Sequence, residues 1–105
     1  MSNSSYENFF MNFSNKTKLS IILILKEKPM NVSEIVNAVG EEQSKVSHNL
    51  IKLAECQIVD VKKKGKERIY SLNKETAIPL LKIVEKHVMK NCPKTCPKKC
   101  SLCKC

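Results

Sequence analysis

A mainly α-helical domain closed by one small β-hairpin is the fold class this sequence predicts. Three observations predict it. Apolar residues recur at helical spacing through most of residues 5–54. The period then shortens to that of strands over residues 58–72, around Gly65. The 105 residues include only two glycines and no tryptophan, too few glycines for the many tight turns of an all-β sandwich.

Each element follows from local pattern. Residues 5–14 hold all three phenylalanines, and Phe9 and Phe13 are spaced to share one helix face. Residues 16–28 surround the apolar run Ile21 to Leu25 and predict a central helix stopped by Pro29. Asn31 followed by Glu34 has capping-box spacing for a third helix. Ile35, Val36 and Val39 form its apolar stripe, and Gly40 suits the left-handed residue just past its end. Residues 43–54 predict a fourth helix with Val46, Leu50 and Leu53 inward. Ile58, Val59 and Val61, a basic turn over Lys62 to Lys66 that contains Gly65, and Glu67 to Leu72 read as a hairpin. The last helix runs within residues 73–90, its regular part starting near Pro79. Two short helices around a tight turn, followed by a hairpin, make a winged helix-turn-helix in the order α-α-α-α-β-β-α. Leu80, Leu81, Ile83, Val84 and Val88 give the last helix more apolar surface than one small domain needs. It is therefore expected to pair with a second subunit.

The chain divides into a domain over residues 1–90 and a tail over 91–105. The tail holds five of the six cysteines, two prolines and four lysines with no acidic residue, so its composition is its own. The net charge of +9 suits a polyanion, with nucleic acid ahead of an anionic membrane surface. The longest apolar run, Ile21 to Leu25, is far short of the ~20 residues of a membrane span. The opening Met1 to Glu7 has neither a basic n-region nor an apolar h-region, so no secretory signal is read and a cytoplasmic location is expected. In a reducing compartment, cysteines serve as metal ligands or redox thiols rather than static cross-links. No Gly-rich phosphate loop, His-Glu-x-x-His pair or nucleophile elbow occurs, and the chain is not read as an enzyme.

The DNA face follows from chemistry. Ser44, Lys45, Ser47, His48 and Lys52 lie outward on a helix sized for the major groove, and their side chains can reach base edges or phosphates. Lys62, Lys63, Lys64, Lys66 and Arg68 on the wing suit the backbone and the adjacent minor groove. The expected partner is a double-stranded DNA operator.

The tail spacing is Cys92-x3-Cys96-x3-Cys100-x2-Cys103-x-Cys105. Three or four thiolates this close can surround one soft ion. Pro93 and Pro97 disfavour a continuous helix, and the neighbouring lysines favour thiolate over thiol. Zinc, cadmium, lead and copper(I) suit up to four sulfurs, and arsenite suits three. An iron–sulfur cluster, reversible disulfides, or a metal-storage or metallochaperone role remain as alternatives. Cys56, just after the fourth helix, is read as a small core-edge residue, with recruitment as a further tail ligand as the alternative.

Over residues 9–90 the sequence resembles the ArsR/SmtB family of metal-sensing winged-helix repressors. The resemblance is carried by Lys18-Leu19 before the apolar helix, Val32-Ser33-Glu34-Ile35, the run Gln43 to Leu53, and the hairpin from Ile58-Val59 through Gly65 to Tyr70-Ser71-Leu72. It implies a homodimer on an operator of pseudo-two-fold symmetry, with repression relieved by an effector. The chain departs from that family where its members sense metal. Residues 32–39 have no cysteine pair, the last helix offers only Glu85 and His87 outside the family spacing, and Asn49 stands where a histidine is usual. The Cys-rich tail is left as the candidate switch.

Overall fold

The computed structural model describes residues 2–91. The elements are α1 (Asn3–Ser14), α2 (Lys16–Leu25), β1 (Met30–Asn31), α3 (Val32–Val39), α4 (Gln43–Glu55), β2 (Val59–Lys64), β3 (Glu67–Leu72) and α5 (Ala77–Asn91). The chain divides into two compact units after Asn73. The first carries α1 to β3, and the second begins at Lys74 and carries α5. The boundary expected after residue 90 meets the end of the described residues.

The first unit is a helical core with a three-stranded antiparallel sheet in the order β1-β3-β2. Ile21 and Ile22 of α2, Ile35 of α3, and Val46, Leu50 and Leu53 of α4 are fully buried. Burying side chains of this size stabilises the fold by roughly 1.5–3 kcal/mol each before entropy is counted. Ile58, Val59, Tyr70 and Leu72 continue the core into the sheet. In α1, Phe9 and Phe13 meet with ring centroids 5.4 Å apart. The buried Asn12 amide donates to the carbonyls of Asn8 and Phe9, each at 3.1 Å.

The caps form as the sequence predicts. Glu34 N–H donates to the Asn31 side chain at 2.9 Å, and Asn31 N–H donates to the Glu34 carboxylate at 3.1 Å, a closed capping box. Gly40 ends α3 at φ 75°, in the left-handed region, and its N–H donates to Val36 at 2.8 Å.

Four expectations are corrected. Helix α2 ends at Leu25 rather than near residue 28. Glu27 N–H already donates to Ile24, a tightened last turn, and a residue preceding proline, here Lys28, is disfavoured in α geometry. Lys62, Lys63 and Lys64 are paired strand residues, not turn. The turn is Gly65-Lys66 alone, with φ 65° at Gly65 and no positive φ at Lys66, the left-handed first position that two-residue hairpins use. A short strand, β1, was not expected. Met30 pairs with Tyr70 and Asn31 with Ile69. Finally, Cys56 is exposed rather than at the core edge.

In the second unit, Leu80 N–H donates to Thr76. Pro79 is the third residue of α5, a position whose missing N–H has no intrahelical partner to lose. Ala77 and Leu81 are buried, while Ile83 and Met89 are 65% and 80% exposed. Among the described residues no helix is long and apolar enough to cross a membrane.

Candidate nucleic-acid interface

Helix α4 is closed at its C-terminal end. Its C-terminus is a Schellman closure in which Gln57 N–H donates to Ala54 and Ile58 N–H to Leu53, each at 3.0 Å. Gln57 takes the left-handed position at φ 59°. Ile58 and Leu53, both buried, supply the apolar contact this motif favours. Asn73 fastens the same corner: its side-chain amide donates to the Gln57 carbonyl at 2.9 Å, and its N–H to Ile58 at 2.9 Å. Inside the helix the buried Asn49 amide donates to the Lys45 carbonyl at 2.8 Å. Asn49 thereby serves the backbone of α4, not its outer face.

With Val46, Asn49, Leu50 and Leu53 inward, the 100° step per residue places Ser44, His48, Ile51 and Glu55 on the outermost line. Ser44, His48 and Lys52 are exposed and Ser47 is half-buried on one flank. Lys45 and Lys52 lie on the other flank. All five expected α4 residues thus belong to one outward surface, with Ser47 the most recessed. Pattern reading missed Ile51, which is 54% exposed in the middle of the outer line. The signal was available: Ile51 falls seven residues after Ser44 and three after His48.

The Lys45 ammonium is engaged by the Glu41 carboxylate at 2.7 Å. That hydrogen bond, with a second from Thr17, lowers the Glu41 pKa from its ordinary value.

The wing cations do not share a surface. In β2 and β3, Lys63 stands opposite Arg68 and Val61 opposite Tyr70, and the same face runs down to Val59 opposite Leu72. Val59, Tyr70 and Leu72 are buried, so Lys63 and Arg68 lie on the core-facing side of the ribbon, beyond its apolar base. Lys62 opposite Ile69 and Lys64 opposite Glu67 lie on the other side, together with Asp60. Lys66 is at the tip. A recess of about 280 Å³ is lined by Asn31, Val32, Ser33, Lys66, Glu67 and Arg68. Across it the Asn31 amide donates to Glu67 at 3.4 Å. On one side of the ribbon the charged residues are therefore cations alone, and the other mixes two lysines with two carboxylates.

Among the described residues no group of three or more His, Cys, Asp or Glu could hold a metal ion. On α5, Asn91 Nδ2 lies 3.3 Å from His87 Nδ1 and also donates to the His87 carbonyl at 2.9 Å. The expected ligands Cys92, Cys96, Cys100, Cys103 and Cys105 lie outside the described residues.

Several solved structures share this fold. The protein is similar to HlyU from Vibrio cholerae N16961 (TM-score 0.72, 18% identity, covering 83% of this chain and 97% of that one). It is also similar to the transcriptional repressor BigR from Xylella fastidiosa (TM-score 0.67, 23% identity, 83% and 96%). A third neighbour is the homodimeric winged helix-turn-helix DNA-binding domain Mb0332 from Mycobacterium bovis (TM-score 0.75, 20% identity, 86% and 89%). At these identities the likeness establishes the fold. No curated protein is close enough in sequence to count as a relative. Residues 15–61, from the start of α2 into β2, match the family model of bacterial regulatory proteins of the arsR family. Residues 15–61 thus carry the pattern of the bacterial arsR regulatory family, within a fold that this chain shares with winged helix-turn-helix proteins.

Proposed function

We propose that the chain is a homodimeric transcriptional regulator that binds a double-stranded operator through α4 and the wing. In the same reading it is a repressor, released when a thiophilic metal or metalloid ion binds Cys92, Cys96, Cys100, Cys103 and Cys105. The observation that carries the DNA half is the outer surface of α4, where Ser44 and His48 stand exposed with Lys45 and Lys52 along one flank. The helix has 13 residues, or about 20 Å, a length that lies along a major groove. BigR, a repressor, and Mb0332, a homodimeric DNA-binding domain, lend support by their shared fold. Exposed Ile83, Val84 and Met89 on α5 support a second subunit.

The effector half rests on donor chemistry. Five thiols within fourteen residues, interleaved with lysines, match what a soft ion requires. Helix α5 is described as far as Asn91, next in sequence to Cys92, so ligation at Cys92 would restrain the helix proposed to join the subunits. Coupling of this kind is typically ~1–3 kcal/mol, or about 5- to 150-fold in operator affinity.

Operator binding measured with and without zinc, cadmium or arsenite, in the full chain and in a chain ending at Lys90, tests both halves. The reading expects equal metal-free affinities and an ion response in the full chain alone. Binding that is indifferent to salt would overturn the DNA half. An ion response that survives in the shortened chain, or no thiol-dependent ion uptake by the full chain, would overturn the tail.

A further inference from the structure

We propose that Ile51 is a specificity-determining residue that seats against the 5-methyl group of a thymine in the major groove. The inference rests on the DNA-binding reading above and adds a base preference to it.

A single exposed isoleucine is ordinary on a protein surface, so the argument lies in its position. Four inward residues, Val46, Asn49, Leu50 and Leu53, fix the rotation of α4 about its axis. On the line opposite them Ile51 lies between His48 and Glu55, with Lys52 beside it. It is 54% exposed and contributes little to the core. Every other exposed residue from Ser44 to Glu55 is polar or charged. Such a surface suits a polyanion rather than an apolar protein partner. Whatever meets Ser44 and His48 also meets Ile51.

An isoleucine side chain has no donor and no acceptor. Set against adenine N6/N7, guanine O6/N7 or cytosine N4, it would strip water from a polar edge and return nothing. The thymine 5-methyl is the one apolar group displayed in the major groove, and apolar side chains recognise it by contact. Ile51 is also stiff at χ1 because it is β-branched, so little freedom is lost on contact.

The test selects duplexes from a random-sequence pool with the full chain. Each thymine of a selected duplex is then replaced singly by deoxyuridine, which removes only the methyl group. One thymine per half-site is expected to lose about four-fold in affinity, the transfer value of one methyl group. With Ile51→Ala that duplex and its deoxyuridine counterpart should bind equally, while Ile51→Val keeps part of the difference. Insensitivity of the wild-type chain at every thymine, or an unchanged penalty in Ile51→Ala, overturns the inference. A chain that enriches no duplex at all overturns the DNA-binding reading instead.

Discussion

Lys45 reaches back across the first turn of α4 to the Glu41 carboxylate, with nitrogen and oxygen 2.7 Å apart. Lys45 faces the proposed DNA surface, so phosphate must compete with a carboxylate already in place. The Glu41→Gln variant should bind DNA more tightly. Its plot of log affinity against log salt should steepen by up to about 0.9, the increment for one further neutralised phosphate. Fluorescence anisotropy titrations across a salt series measure both. Because Lys45 and then Thr17 lower the Glu41 pKa, the ion pair is intact above the unfolded carboxylate pKa. It is lost as pH falls through the lowered folded value. Across that acid window the wild type should converge on Glu41→Gln in affinity, and a constant gap between them would count against the competition.

The wing carries its cations on two unequal sides. Lys63 and Arg68 share a side with no carboxylate, whereas Lys62 and Lys64 share theirs with Asp60 and Glu67. Opposed charges there offset the field that DNA would feel. Replacing Lys63 and Arg68 together by alanine should reduce the salt slope by up to about 1.8, or about 0.9 for each phosphate left without its cation. Replacing Lys62 and Lys64 should change it by clearly less. Equal slopes for the two double variants would show that the register does not sort the wing.

The legible parts of the fold are those set by local chemistry. Asn31 with Glu34, Gly40, and the Val46–Leu50–Leu53 spacing act through neighbours a few residues away, and all three form as expected. Illegible parts depend on distant partners. Met30 and Asn31 become a strand only because Tyr70 and Ile69 are brought alongside. Lysine is a poor strand former, yet Lys62 to Lys64 are carried into pairing by the register that the Gly65-Lys66 turn imposes. Cys56 has the residue type of a core edge, but the closure at Gln57 leaves the α4 C-cap at the surface. On the candidate interface, the polar residues of α4 were readable from type. Ile51 was readable only from its spacing from Ser44 and His48, because by type an apolar side chain is counted inward.

Gln57 occupies a left-handed backbone position at φ 59°, where an L side chain costs roughly 1–2 kcal/mol. Glycine removes that cost but loses more backbone entropy on folding. Gln57→Gly should therefore be more stable by about 1 kcal/mol or slightly less, measured by urea denaturation. The hydrogen bonds that close α4 use backbone atoms of this segment and survive the change, so DNA affinity should be unaltered. By contrast Leu50→Ala, at a fully buried position, should cost about 2–5 kcal/mol and weaken DNA binding with it, because α4 loses its seat.

Helix α5 leaves Ile83, Val84 and Met89 exposed, apolar side chains that a second subunit would cover. Placing a charge at the more exposed of the adjacent Ile83 and Val84, with Ile83→Glu, makes burial of this part of α5 expensive unless the charge is paired. The variant should sediment as a monomer at concentrations where the wild type is a dimer. Each monomer keeps its own α4 and wing, so the loss should fall on symmetric operators rather than on single half-sites. A dimer joined through α5 gains affinity by holding two reading helices on one duplex. The wild type should therefore prefer a two-half-site duplex to a single half-site by a wide margin, and Ile83→Glu should prefer it little. If Ile83→Glu remains dimeric and keeps the full preference, the subunits meet elsewhere.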